Sequence, residues 1–328
     1  MIKRYFVTGA AGFVASQVCQ RLLDQGDQVV GVDNLNDYYD VRLKNWRFMQ
    51  LQKHPMVHNF TFFKIDIECQ SELNDLFHAN EPFDAVLNLA ARAGVRYSME
   101  NPHVYLSTNA GGTLNLLECM RAQGCPKLVL ASTSSLYAGQ KIPFTEDLAV
   151  NEPLSPYAAS KKAGELLAYS YHKLYNMDIS VVRYFTVFGP AGRPDMSPYR
   201  FIRWIVEEET IQMYGDGSQS RDFTYVDDIV RGTIAAIQDV GYEIINLGGG
   251  QNPVSLNTII EKLEILIGKK ATIDHEQFHT ADLIETWADI SKAKGLLGWE
   301  PQVSLEEGLK KSVQWYLENR YWLKKVKV

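Results

Sequence analysis

The chain has 328 residues, 33 basic against 39 acidic, and a net charge of −6 with histidine neutral. Its 46% hydrophobic and 22% charged residues are the composition of a soluble globular protein with a large core, which excludes disorder, collagen-like repeats and a disulfide-rich secreted scaffold. The acidic balance argues against a protein built to grip nucleic acid, since that binding runs on clustered Lys and Arg.

Short apolar, β-branched runs alternate with helix-length amphipathic segments through the first half. The runs cover 5–8, 28–32, 60–65, 85–89, 127–131 and 179–184; between them the helical segments cover 13–25, 41–52, 71–80, 104–123 and 157–175. This alternation predicts a parallel sheet covered by helices on both faces. In the first helix Val14, Val18 and Leu22 fall on one stripe and Gly26 supplies a left-handed stop. Beyond Tyr184 the pattern weakens: 189–203 is dense in Gly, Pro and Arg, and a further apolar run follows at 243–247. Ser255 then caps a helix that carries Leu256, Ile259, Ile260, Leu263 and Ile267 on one face and ends at Gly268.

Cys19, Cys69, Cys119 and Cys125 show no CxxC pair and no metal-ligand spacing; they read as buried small hydrophobes in a reducing compartment. The start, Met1 to Ser16, has the charge order of a secretory leader, but Gly9 and Gly12 break its apolar stretch. No window approaches the ~20 apolar residues of a membrane span, and the chain reads as cytoplasmic. His275 and His279, beside Glu276 and Asp282, lack the further ligands of a metal site. The aromatic and basic stretch from Trp315 to Lys327 reads as an amphipathic cap on the fold rather than a membrane-surface helix.

Gly9-Ala-Ala-Gly12-Phe13-Val14-Ala15 follows the first strand and opens the first helix. Glycines there let the backbone turn tightly against a pyrophosphate, which the helix amides attract; without a following Lys-Ser/Thr pair this is not a P-loop. The second strand ends at Asp33, 21 residues beyond Gly12, where a carboxylate can accept the hydroxyls of an adenosine ribose. Asp33 would repel a 2′-phosphate, and no Arg or Lys lies between it and Arg42, so NAD is favoured over NADP. Asp66-Ile67 after the third strand and Leu89-Ala90-Ala91 after the fourth line the same crevice. Tyr157 and Lys161 stand four apart on one helix face, where an ammonium favours the phenolate. The fifth strand ends in the hydroxyl cluster Ser132-Thr133-Ser134-Ser135.

With these motifs the sequence resembles the extended short-chain dehydrogenase/reductase family, in its nucleotide-sugar epimerase branch. Ala93-Gly-Val-Arg96-Tyr-Ser-Met-Glu-Asn-Pro102 and Arg183-Tyr-Phe-Thr186-Val-Phe-Gly-Pro-Ala-Gly-Arg193-Pro-Asp-Met196 look like the UDP-glucuronate 4-epimerases within it. The resemblance implies a Rossmann-type α/β fold, a doubly wound parallel sheet with a smaller, discontinuous α/β substrate-binding region. Residues 1–184, rejoined by a strand near 243–247, would form the NAD-binding domain, and 185–328 mainly the nucleotide-sugar region. Thr133, Tyr157 and Lys161 would be catalytic, Tyr157 as general base and then acid. Gly9, Gly12, Phe13, Val14, Asp33 and Asn34 would hold NAD, with Asp66, Ile67, Leu89, Ala90, Ala91 and Asn109 and the catalytic Tyr157 and Lys161. Arg96, Ser134, Ser135, Thr186, Arg193, Arg221 and Asp282 would meet a UDP-sugar, Thr186 and Arg193 through its carboxylate. A homodimer through the helices 104–123 and 157–175 is implied as well.

Dehydratases and decarboxylases of this superfamily carry a glutamate where this chain has Ser135, which disfavours those reactions; an NAD-sensing protein without activity would need a broken triad. Phe278-His-Thr-Ala-Asp282 stands where many hexose epimerases have an arginine that grips diphosphate. Arg193, Arg200, Arg203 and Arg221 are therefore expected to gather around the anionic substrate.

Overall fold

The computed structural model describes residues 2–80, 82–251, 253–278 and 283–327. Six strands come first: β1 (Arg4–Thr8), β2 (Gln28–Val32), β3 (Phe60–Phe63), β4 (Ala85–Asn88), β5 (Lys127–Thr133) and β6 (Asp178–Tyr184). They are followed by β7 (Thr186–Phe188), β8 (Ile211–Tyr214), β9 (Ser220–Arg221), β10 (Phe223–Tyr225), β11 (Tyr242–Leu247), β12 (Val254–Ser255) and β13 (Ile273–Glu276). Seven of them form one parallel sheet in the order β11-β6-β5-β4-β1-β2-β3. Its middle is apolar because both faces are covered: all seven residues of β5, KLVLAST, are buried. One core lies under the helix Phe13–Asp24, through Val18, Leu22 and Leu23. The other lies under the helices Gln70–His78 and Gly112–Gln123, through Leu73, Leu116 and Leu117.

The strand order reverses between β1 and β4, and the crossovers on either side leave a crevice at the carboxyl ends of these two strands. The chain returns to this sheet after leaving it: β11 pairs with β6 over Tyr242–Leu247. The remaining strands make three small pairs, β10 with β7, β12 with β9 and β13 with β8. Around them the helices Ser197–Glu207, Leu256–Ile267 and Leu305–Leu323 pack on one another. Ser255 caps the second of these helices by accepting the amide of Thr258, and Gly268 closes it in the left-handed conformation. In the third, Trp315 packs edge-on against Trp46, so this terminal helix is seated on the sheet domain. Among the described residues no helix is long and apolar enough to cross a membrane.

The expected helix over 104–123 is not continuous. A short turn, Pro102–Tyr105, leads into a π-helical segment, Leu106–Gly111, and only then into Gly112–Gln123. The wide turn carries Asn109, whose side chain is held by both backbone groups of Arg92, and it brings Gly112 so close to Ile67 that a Cβ would collide at 2.6 Å.

Lys127, at the start of β5, is 2% exposed and donates to Ser180 Oγ at 2.9 Å and the Gln238 carbonyl at 2.8 Å, besides pairing with Asp178. This cluster pins the ends of β5 and β6 to the segment before β11. Lys127→Met is expected to lower the unfolding free energy by about 3 kcal/mol, because it leaves Asp178 without its cation. Chemical denaturation checks it; a loss under about 1 kcal/mol would mean that the two amides already bonded to Asp178 suffice.

Candidate active site

The turn after β1 is shaped by its glycines. Gly9 has φ +71°, and a Cβ there would sit 3.0 Å from the backbone of Ala90, so only glycine lets this turn press against the end of β4. Gly12 donates to the Gly9 carbonyl and stands at the N-cap of the helix Phe13–Asp24, which has no side-chain cap and no acidic residue in its first turn. Its opening amides therefore face the crevice as an anion cradle. Beside it, Asp33 accepts the amides of Ala11 at 3.2 Å and Leu35 at 2.7 Å. Asn34 donates to Asp66 at 2.7 Å, which joins the acidic ends of β2 and β3.

Gly9, Gly12, Asp33, Asn34 and Asp66 line a cavity of 380 Å³, together with Phe13, Val14 and Ile67 and the β4 end Leu89, Ala90 and Ala91. Lys44 lines it too, its ammonium 3.5 Å from Asp33. Sequence distance hid this lysine: the helix Val41–Gln52 turns it back toward β2, and the signal was a buried stripe in which Arg47 falls between Leu43 and Leu51. Asn109 does not line the cavity. It sits one layer behind, bonded to Arg92 and to Ser160 Oγ at 2.9 Å, and so braces the wall.

The helix Pro156–Tyr175 brings Tyr157 and Lys161 into the same cavity. Ser155 caps it by accepting the amide of Ala158 at 3.2 Å, with Pro156 in the first turn, so the helix start places Tyr157 and Lys161 one turn apart on the inward side. Thr133, Ser134 and Ser135 enter from the end of β5, and Thr186 and Arg193 from the smaller lobe. Ser135 Oγ and its amide both lie 3.1 Å from Thr133 Oγ1. Burial pushes the Tyr157 hydroxyl up, opposed by a hydrogen bond with Thr133 and by the charge of Arg193. Burial brings the Lys161 ammonium down to about 8, against the pull of Glu165. A phenol held among hydroxyls and cations is equipped to give and take a proton.

Arg193 is held by Asp195, with Nε donating to Oδ1 at 3.0 Å and Nη2 to Oδ2, and its guanidinium lies 5.9 Å from the ring centre of Tyr38. Tyr38 hydrogen-bonds Tyr105, whose ring meets Tyr157 edge-on at 6.0 Å. Gly94, φ +110°, is where this loop must come near: a Cβ would run into the Tyr38 hydroxyl. Tyr38 and Tyr105 carry no motif, and sequence reasoning passed over them.

Other expected residues stand apart from the cavity. Arg96 lies over the ring of Tyr214 at 3.8 Å, and Arg200 over Trp204 at 4.4 Å. Arg221 donates to the carbonyls of Ser220 at 2.8 Å and Ile284 at 3.3 Å. Arg203 does not join a cluster of arginines: it pairs with Glu209 at 3.2 Å and donates to the Val326 carbonyl, because its turn of the helix Ser197–Glu207 faces the C-terminal segment. Asp282 and His279 lie outside the described residues. His275 is exposed on β13, with Nδ1 2.8 Å from the Gly215 carbonyl, and among the described residues no three His, Cys, Asp or Glu could hold a metal.

The NAD dependent epimerase/dehydratase family matches this sequence over residues 5–248. The chain belongs to this family. It is 61% identical over 324 residues to a UDP-glucuronate 4-epimerase of Thermodesulfobacterium geofontis (strain OPF15), covering 99% of each chain. A UDP-glucuronic acid 4-epimerase from Bacillus cereus, solved with UDP-glucuronic acid and NAD, superposes with a TM-score of 0.90 at 38% identity, over 96% of this chain and 99% of that one. A UDP-glucose 4-epimerase from Thermotoga maritima, solved with UDP-glucose, has a TM-score of 0.87 at 29% identity, over 97% and 99%. These likenesses extend over nearly the whole chain, the central sheet and the smaller lobe alike.

Proposed function

We propose that this protein is an NAD-dependent isomerase that inverts carbon 4 of UDP-glucuronate, giving UDP-galacturonate. The observation that carries the reading is the guanidinium of Arg193 in one cavity with Tyr157, Lys161 and the glycine cradle, supported by the 61% identity to an enzyme of that name. Gly9, Gly12 and Asp33 fit a dinucleotide, which supplies, when bound, a reversible acceptor for the C4 hydride. Tyr157 takes the proton of the C4 hydroxyl as the 4-keto sugar forms, and returns it to the oxygen once the other face is presented. Thr133 orients that oxygen, and Lys161 stabilises the phenolate. No net oxidation occurs. In this reading residues 1–184 with β11 form the cofactor half and the rest mainly the nucleotide-sugar half. Its four free cysteines suit a reducing cytoplasm.

A 4-keto uronate is a β-keto acid and loses carbon dioxide when the carboxylate bond stands perpendicular to the ketone. Thr186 and the edge of the Arg193 guanidinium not bonded to Asp195 hold the carboxylate away from that geometry. The neutral hydroxyl at Ser135 offers no carboxylic acid for dehydration. Leu114, Leu166, Tyr169 and Leu174 are exposed on the two neighbouring helices Gly112–Gln123 and Pro156–Tyr175, an apolar face that a second copy of the chain covers in a homodimer.

An NMR assay of UDP-glucuronate turnover should show UDP-galacturonate and no net change in NAD; turnover of neutral or acetamido sugars alone, or carbon dioxide as main product, would refute the reading. Tyr157→Phe should lower turnover about a thousandfold with the dinucleotide still released on denaturation of the purified protein. Arg193→Met should cut kcat/KM roughly thirtyfold or more and open a leak to carbon dioxide, measured by product ratio. Leu166→Asp should convert the dimer to monomer by light scattering; an unchanged mass would move the interface elsewhere.

A further inference from the structure

Beneath the cavity floor, one turn beyond Lys161 on the same helix, Glu165 is 1% exposed. Its Oε1 accepts Ser132 Oγ at 2.7 Å and Arg183 Nε at 2.9 Å, and its Oε2 accepts Arg183 Nη2 at 2.8 Å and Lys162 Nζ at 3.4 Å. Arg183, also 1% exposed, gives its remaining edge to the Tyr137 hydroxyl at 2.8 Å, which donates to Asn246 at 2.7 Å. One buried chain of bonds therefore joins β5, the turn after it, β6, β11 and the catalytic helix. An ion pair removed from water is a poor source of stability compared with apolar residues of the same volume. Its placement is telling: Ser132 precedes Thr133, and Glu165 follows Lys161 by four residues and Tyr157 by eight.

Two of the nearby cations are held by Glu165 itself, and a third, Arg193, bears on Tyr157. Lys162 comes from the same helix, Arg183 from β6 and Arg193 from the smaller lobe, while Tyr38 and Tyr105 face Tyr157 as neutral phenols and β5 offers only hydroxyls. Asp195 is spent on Arg193. We propose that Glu165 is a positioning residue of the reaction: held by Arg183 and Ser132, its carboxylate keeps Lys161 protonated and seats the helix of Tyr157 on the strand of Thr133. This rests on reading Tyr157 and Lys161 as the acid–base pair. The direction of the shift agrees, since burial pulls the Lys161 ammonium down to about 8 and Glu165 is the charge that opposes it.

The sign of the effect follows. Removing the carboxylate destabilises the ammonium, so Lys161 loses its proton at lower pH and the alkaline limb of kcat moves down. Glu165→Gln, which keeps the volume and the Ser132 bond, should shift that limb by about one pH unit with KM for UDP-glucuronate unchanged. Glu165→Asp, which keeps the charge, should restore most of it, and Ser132→Ala should leave it where the wild type has it. Should Glu165→Gln not fold, Glu165→Leu with Arg183→Met replaces the pair by apolar residues and should show a smaller downward shift, because a cation leaves together with the carboxylate. A wild-type profile without an alkaline limb, or variants whose stability falls while the limb stays in place, would overturn the proposal. A wild type that does not epimerise UDP-glucuronate would instead overturn the functional reading itself.

Discussion

Parallel strands that all finish at one edge are the constraint on which this molecule's chemistry depends. Each crossover helix carries the chain back to the opposite edge, so every loop that follows a strand emerges on the same side. The glycine turn follows β1, Asp33 and Asp66 follow β2 and β3, the hydroxyl cluster closes β5 and Thr186 lies just past β6. Five strand ends thus build one wall. The reversal of strand order between β1 and β4 opens that wall into a crevice, which the smaller lobe covers.

The two halves are held by more than surface contact. Arg47, 2% exposed, donates to the Ala11 carbonyl in the glycine turn at 3.3 Å and to the carbonyls of Ala191 at 2.7 Å and Gly192 at 3.1 Å, just before Arg193. Tyr39 receives another of its N–H groups at 2.6 Å. A guanidinium whose donors are spent on backbone carbonyls behaves as a rivet: it fixes the spacing between the glycine turn and the loop that carries Arg193. Tyr38, next to Tyr39, lies against the Arg193 side chain itself. The segment after β2 therefore ties the glycine turn to the Arg193 loop while its Leu43 and Leu51 join the apolar core.

Periodicity made the strands and most helices legible, because a sheet buried on both faces leaves near-continuous apolar runs and a cap such as Ser255 marks a helix start. Gly9, Asp33, Tyr157 and Lys161 were legible for a different reason: each sits at a fixed offset from a strand end or helix start. What stayed hidden is buried polar contact between segments far apart in sequence. Lys44 meets Asp33 only because a helix folds back, Arg183 meets Glu165 across a strand and a helix, and the π-helical turn at Leu106–Gly111 depends on the Asn109 bond to Arg92. Arginines mislead in the same way, since a helix turn decides whether Arg203 faces a substrate or the Val326 carbonyl.

The net charge of −6 and an anionic substrate are compatible because the cavity reverses the overall sign. Its lining carries the cations Lys44, Arg92, Lys161 and Arg193 against the carboxylates of Asp33 and Asp66, with Lys44 matched to Asp33 and Arg193 to Asp195. Ser135 matters within this balance. A carboxylate at that position would sit two residues from Thr133, beside the phenol that must ionise and facing a sugar that itself carries a carboxylate. It would raise the cost of the phenolate and repel the substrate. With Ser135 as a neutral partner of Thr133 Oγ1 at 3.1 Å, the proposed mechanism adds no further carboxylate to the cavity beside the phenolate and the uronate. In the proposed mechanism, selection of epimerisation over elimination is then an electrostatic property of the site as much as a matter of which acid is missing.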